Sequence, residues 1–180
     1  PLPEKPYHVI CGDFNGDKQV DIAAVSSKKV YVLTNSGDGA SFDEYEAYDA
    51  GQGIQGVSAG DFDGDTDLDL AVANANSDIW VFFNKGDGTF QRQKSYKAGE
   101  FPHFLIVFDV NRDSRMDLVV ANKKSKDLSV FISRKDGTFA SEIRYNLQTE
   151  PSAMYAADHE SDKKAVHLAV LSAKSGDLAI

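Results

Sequence analysis

The chain has 180 residues, 42% of them hydrophobic and 26% charged, with a net charge of −9. That length and composition suit a globular fold able to bury roughly 70% of its unfolded surface, while the acidity opposes any partner with a phosphate backbone, so no nucleic-acid binding is expected. A single cysteine excludes an internal disulfide, and no apolar run approaches the roughly 20 residues of a membrane span, so no membrane insertion is expected either.

In chain order, the opening Pro1-Leu2-Pro3-Glu4-Lys5-Pro6 lacks the basic and apolar stretches of a signal peptide and reads as a mature N-terminus or an excised domain. A repeat then begins. Asp13, Asp61 and Asp109 stand 48 residues apart, and Asp158 follows after 49. Each opens a related segment, and a second motif keeps the same beat: Asn35-Ser-Gly-Asp-Gly-Ala-Ser-Phe42, Asn84-Lys-Gly-Asp-Gly-Thr-Phe90 and Ser133-Arg-Lys-Asp-Gly-Thr-Phe139.

The first period spans about residues 7–50, the second 54–98 and the third 102–147, with a partial fourth over 152–180. Each reads as four strands. In the second these are Val57–Phe62, Leu68–Asn74, Ile79–Asn84 and Gln91–Ala98. Leu68, Leu70 and Val72 share one face of the second strand, and small alanines at 71 and 73 suit close stacking on the other. Val20, Ile22 and Ala24, then Met116, Leu118 and Val120, repeat the pattern. The third strand is apolar on both faces (Trp80, Val81, Phe82, Phe83), as in a sheet sandwiched between two others. The Asp-Gly segments are hairpin turns. Four-stranded repeats of this length are the mark of β-propeller blades. The expected fold is therefore all-β: three full blades and a partial fourth of a larger, about seven-bladed propeller. The partial blade and the bare faces of the end blades imply packing against further blades of the same propeller or another copy of the chain.

The connection between strands one and two carries the chemistry. Three copies fit D-x-[DN]-x-D-x-x-x-D: Asp13, Asn15, Asp17 and Asp21; Asp61, Asp63, Asp65 and Asp69; Asp109, Asn111, Asp113 and Asp117. Positions 1, 3 and 5 of a tight loop can aim oxygens at one centre. Position 7 (Gln19, Asp67, Arg115) adds a backbone carbonyl, and position 9 closes the shell. Six or seven hard oxygens suit Ca²⁺, giving about three ions in all. Ten carboxylates stand at these ligand positions, and without them the net charge would be +1. Clustering them is costly unless a cation is present. An EF-hand is excluded, because its position 12 would require Glu and is Ala24, Val72 or Val120. The fourth copy, with Asp158, Glu160 and Asp162, is out of register and has His167 in place of the closing aspartate, so it is expected to be metal-free.

With Gly12-Asp13-Phe14-Asn15-Gly16-Asp17, Gly60-Asp61-Phe62-Asp63-Gly64-Asp65, Asp69-Leu-Ala-Val-Ala-Asn74 and Asp87-Gly-Thr-Phe90 in hand, the chain resembles the FG-GAP or VCBS repeat family over nearly its whole length. It departs at loop position 6, where the family usually has Gly and this chain has Lys18, Thr66 and Ser114. The family is similar to integrin α-subunit heads and to fungal and bacterial lectins. The resemblance implies a secreted or cell-surface, non-enzymatic module that binds a protein or glycan ligand outside the cell. Family ligands usually meet the rim opposite the calcium loops, here Ser26–Lys29, Asn74–Asp78, Asn122–Asp127, Gly51–Gln55, Gly99–His103 and Thr149–Ser152.

Two alternatives stand beside this reading: an architectural spacer or filament subunit, and the propeller part of a secreted carbohydrate-active enzyme. Against intrinsic catalysis, His8, His103, His159 and His167 keep no common phase, and the chain has no Gly-x-Ser-x-Gly or HExxH. Cys11 is expected as a buried thiol, Trp80 as sheet packing, and Lys123, Lys124 and Lys126 as a solvated loop.

Overall fold

Alternating apolar side chains and Asp-Gly turns produce fifteen strands in the computed structural model, which describes residues 1–37, 41–43, 45–158, 166–172, 176 and 178–179. The first sheet orders β1 (His8–Gly12), β2 (Asp21–Val25), β3 (Lys29–Leu33) and β4 (Glu46–Asp49) as antiparallel neighbours. The second does the same with β5 (Ile54–Gly60), β6 (Asp69–Asn74), β7 (Asp78–Asn84) and β8 (Phe90–Lys97). The third comprises β9 (Pro102–Phe108), β10 (Asp117–Asn122), β11 (Asp127–Phe131) and β12 (Ile143–Asn146). A fourth sheet has β13 (Ala153–Asp158), β14 (Val166–Leu171) and β15 (Leu178–Ala179). These are the meandering blades of a β-propeller, three of them four-stranded.

The two faces of each second strand serve two different interfaces. Leu70 and Val72 of β6 pack with Val25, Val30, Ile54 and Val57 against the first blade. Ala71 and Ala73, on the opposite face, pack with Leu105, Leu118 and Val120 of the third. β7 divides likewise: Phe82 and Trp80 face the first blade, Val81 and Phe83 the third. All six residues of β6 and of β10 are buried, as a sheet covered on both sides requires. Val119 and Val130 carry the stack on to Met154 and Val170 of the fourth blade.

Two expectations need correction here. Val20 and Met116 do not share the apolar face; they are 59% and 41% exposed. The ladder starts one residue later, at the aspartate, and only their counterpart Leu68 packs against a neighbouring blade. Cys11 is exposed, not buried. Its face of β1 points away from the second blade, as does that of Val9, which is 53% exposed. Trp80 packs in the sheet as expected, and Lys123, Lys124 and Lys126 are solvent-facing.

A repeated aromatic joint locks neighbouring blades. The hairpin Phe90 inserts between Phe14 (5.9 Å) and Tyr48 (5.7 Å) of the preceding blade, and its N–H donates to the Tyr48 hydroxyl at 3.0 Å. One blade on, Phe139 meets Phe62 (5.4 Å) and Tyr96 (5.2 Å), and its N–H donates to the Tyr96 hydroxyl at 3.2 Å. The Phe after the first aspartate of loops one and two, the hairpin Phe and the outer-strand Tyr are therefore one joint, built from edge-to-face pairs worth roughly 1 kcal/mol each beyond their burial. Asn84 adds a bond, donating through Nδ2 to the Phe14 carbonyl at 2.7 Å.

Candidate metal centre

The strand one to strand two connections gather at one end of the stack, and each is shaped by its own aspartates. In the first loop, Asp13 accepts from the Gly16 N–H (2.8 Å) and the Lys18 N–H (2.9 Å). Asp61 accepts from Gly64 (2.6 Å) and Thr66 (3.0 Å), and Asp109 from Asp113 (3.1 Å) and Ser114 (2.7 Å). Positions 3 and 5 each accept from the N–H two residues on: Asn15 from Asp17, Asp17 from Gln19, Asp63 from Asp65, Asp65 from Asp67, Asn111 from Asp113 and Asp113 from Arg115. These successive turns curl the backbone so that its side-chain oxygens share one side of the loop.

The curl requires a left-handed residue at position 6. Lys18, Thr66 and Ser114 have φ of 68°, 81° and 67°. The family's usual glycine is thus replaced without changing the conformation, at a cost of roughly 1–2 kcal/mol per residue. Position 4 is left-handed as well, at Gly16, Gly64 and Arg112, so the third loop holds two strained non-glycine residues.

The ninth aspartates play a part the spacing did not reveal. Asp21, Asp69 and Asp117 have no exposed surface. One oxygen of each accepts from the backbone N–H at loop position 2 (Phe14 at 2.8 Å, Phe62 at 2.9 Å, Val110 at 3.1 Å). The other accepts from the end of the third strand: Asn35 at 2.8 Å, Asn84 at 2.9 Å and Ser133 at 2.8 Å. Each carboxylate therefore ties the acidic loop to its blade's hairpin. Its oxygens retain further lone pairs for a cation.

The three loops differ in charge. In the second, carboxylate oxygens of Asp61, Asp63 and Asp65 all lie within 4.8 Å of one another. Burial first, then the Asp65 charge, raises the Asp63 carboxyl above its ordinary range. Burial pushes the Asp69 carboxyl up to about 7. In the other two loops position 3 is an amide that donates to position 5, Asn15 to Asp17 at 3.1 Å and Asn111 to Asp113 at 2.9 Å. The third loop also has its own cation, since the Arg115 guanidinium pairs with Asp113. Burial raises the Asp117 carboxyl there too. The donor set of the second loop, all carboxylate with a further buried carboxylate beside it, suits a hard divalent cation best. Of the fourth loop, expected to be metal-free, Glu160 and Asp162 lie outside the described residues, while Asp158 ends β13 and His167 pairs with Ala157 near the start of β14.

The hairpins of the second and third blades close over the first and second loops: a Cβ added at Gly88 would lie 3.3 Å from Asn15 Cβ. Gly137, with φ 72°, lies where an added Cβ would come within 2.7 Å of both Asp63 Cβ and the Phe83 ring. Thr138 and Thr89 cap these turns on Asp136 and Asp87, holding both carboxyls below the usual range.

A profile of the FG-GAP-like repeat matches residues 13–72, 61–120 and 109–165. The chain belongs to the FG-GAP-like repeat family. The matched segments of this FG-GAP-like chain each begin at the first aspartate of an acidic loop; the first two run into the next blade's second strand, and the third stops just before β14. A search of curated proteins returned no match. Among solved structures, the FG-GAP-like chain is similar to an Agrocybe aegerita lectin described as recognising non-reducing terminal N-acetylglucosamine (23% identity, TM-score 0.60, covering 76% of this chain and 37% of that one). It is also similar to BBS1N in complex with ARL6DN (13% identity, TM-score 0.67, 95% and 55%) and to a Photorhabdus luminescens Tc holotoxin pore (16% identity, TM-score 0.56, 94% and 8%). At these identities the likeness shows the fold. The chain spans between 8% and 55% of the length of these structures.

Proposed function

We propose that the chain is a calcium-binding propeller segment that works outside the cell, without catalysis of its own, by presenting a rim to a protein or glycan ligand. The observation that carries the metal half is the convergence of Asp61, Asp63 and Asp65 within 4.8 Å beside the fully buried Asp69. Like charges this close repel unless a cation bridges them. Asp13, Asn15, Asp17, Asp21 and the Gln19 carbonyl, then Asp109, Asn111, Asp113, Asp117 and the Arg115 carbonyl, are the corresponding ligands of two further ions, and Asp67 supplies the carbonyl of the second loop. Calcium would cross-link the two strands each loop joins and neutralise the acidic end.

The opposite end, formed by the second-to-third strand connections and the links between blades, is left free for a ligand. A lectin and a protein-complex subunit among the similar structures support a binding role of this kind. Extracellular calcium is plentiful enough to saturate such loops, which favours a secreted or cell-surface location. Further blades, from the same polypeptide or a second copy, would cover exposed side chains such as Val9 and Tyr155, the latter 70% exposed.

Calorimetric titration of the chelator-stripped chain with calcium tests the metal half. Saturable heat with a stoichiometry near three is expected, and Asp63→Ala should remove the tightest site. No heat at millimolar calcium refutes it.

A further inference from the structure

At the end of the stack opposite the acidic loops, the starts of the inner strands β1, β5, β9 and β13 converge on a cleft of about 510 Å³. That is within the range of small-ligand sites, about 300–1,000 Å³. Tyr7, His8, Gln55, Ser58, His103 and Phe104 contribute its polar and aromatic surface. Among the described residues that line it, none is Asp, Glu, Lys or Arg, in a chain that is 26% charged. Apart from its two imidazoles, the cleft's described lining therefore carries no permanently charged group to pair with phosphate, carboxylate or ammonium.

Its aromatic walls are held in place. The Tyr7 backbone N–H donates to the Val25 carbonyl at 3.1 Å, and its hydroxyl donates to the Ile54 carbonyl, bracing the ring between two blades. Phe104, 37% exposed, stands edge-on to the His103 ring at 5.5 Å. His103 is half-buried, and its Nδ1 is enclosed with no hydrogen-bond partner among the described residues. Burial, with Lys123 and His8 adding to it, holds this imidazole below its ordinary range and therefore neutral at pH 7. With Nδ1 enclosed, only the Nε2 edge of this ring can meet a ligand; Gln55, whose Nε2 donates to the Gly53 carbonyl at 3.0 Å, adds an amide and Ser58 a hydroxyl.

Uncharged donors and acceptors between aromatic faces match a ligand with hydroxyls around its edge and C–H groups on its faces. We propose that this axial cleft binds the terminal ring of a neutral saccharide, its C–H face against Tyr7 and Phe104 and its hydroxyls toward His8, Gln55, Ser58 and His103. This rests on the glycan half of the reading above and gives it a place on the molecule.

The test is an NMR titration of the full 180-residue chain with methyl β-N-acetylglucosaminide, methyl β-galactoside and methyl α-mannoside, with glucuronate and N-acetylneuraminate as charged comparisons. Saturable shifts with at least one neutral glycoside are expected, concentrated on the cleft residues and weakened about tenfold by Phe104→Ala and by Gln55→Ala. Both side chains are at least partly exposed, and an unchanged melting curve verifies that each variant folds. Neutral-glycoside binding that survives both substitutions overturns the cleft while sparing glycan binding elsewhere. Tighter binding of the charged sugars also overturns it. No shift with any neutral glycoside overturns the cleft and the glycan half together, leaving protein as the ligand class. The calcium titration is a separate experiment, so failure there is distinguishable.

Discussion

The aromatic joint makes a sharp comparison possible within one chain. Phe42, Phe90 and Phe139 occupy the same hairpin position in successive blades, yet Phe42 is 41% exposed while Phe90 and Phe139 are 5% and 3% exposed. Phe90→Ala removes a ring packed on Phe14 and Tyr48 and leaves a cavity between two rigid sheets. Truncating a buried Phe costs roughly 3–5 kcal/mol. For a domain of this size, 1 kcal/mol moves the melting temperature by about 2–4 °C, so a fall of roughly 6–20 °C is expected. Phe42→Ala at an exposed position should cost below about 1 kcal/mol. Tyr48→Phe strands the Phe90 N–H that donates to its hydroxyl, and an unpaired buried donor costs about 1–3 kcal/mol. Thermal unfolding followed by circular dichroism, all variants in the same calcium buffer, reads the three effects. If Phe42→Ala costs as much as Phe90→Ala, the joint is not what holds neighbouring blades together.

Thr66→Gly should raise the melting temperature by about 1–3 °C, because it relieves a left-handed β-branched residue at φ 81° more than it loosens the unfolded chain. Arg115→Gln should tighten calcium at the third loop several-fold, read by calorimetry, because it removes the cation already paired with Asp113. The depressed His103 imidazole implies that the folded chain binds fewer protons than the unfolded one just below pH 6.5. Stability contributed by the neutral ring is therefore present above that pH and lost as pH falls through it. Urea unfolding at pH 7.5 and 5.5 should show a smaller difference in His103→Gln than in the parent chain.

Much of this architecture was legible because the repeat imposes a register. Leu70 with Val72, and Ala71 with Ala73, fall on opposite faces by alternation alone, and their partner blades follow from the order of the chain. Alternation names a face but not what covers it, so Cys11 and Val9 could not be told from buried residues. The joint was hidden for a related reason. Tyr48 and Tyr96 are 48 residues apart and Phe90 and Phe139 are 49 apart, so the spacing signals a repeated role without showing that the two types meet across blades. The ninth aspartate looked like a ligand only, because its bonds to Asn35, Asn84 and Ser133 depend on where the third strand ends. The axial cleft left no motif, since His8 and His103 come from non-equivalent positions that only the convergence of the inner strands brings together.

The central claim is that the acidic loops hold calcium as part of the fold. Thermal unfolding of the full chain in millimolar calcium and in excess chelator tests it most directly. A ligand bound only by the native state stabilises it by about 2.7 kcal/mol per site at a hundredfold excess over Kd. The account predicts a melting temperature lower by several degrees in chelator, with Asp63→Ala shrinking that difference more than Asp113→Ala. Superimposable curves in calcium and in chelator would contradict it.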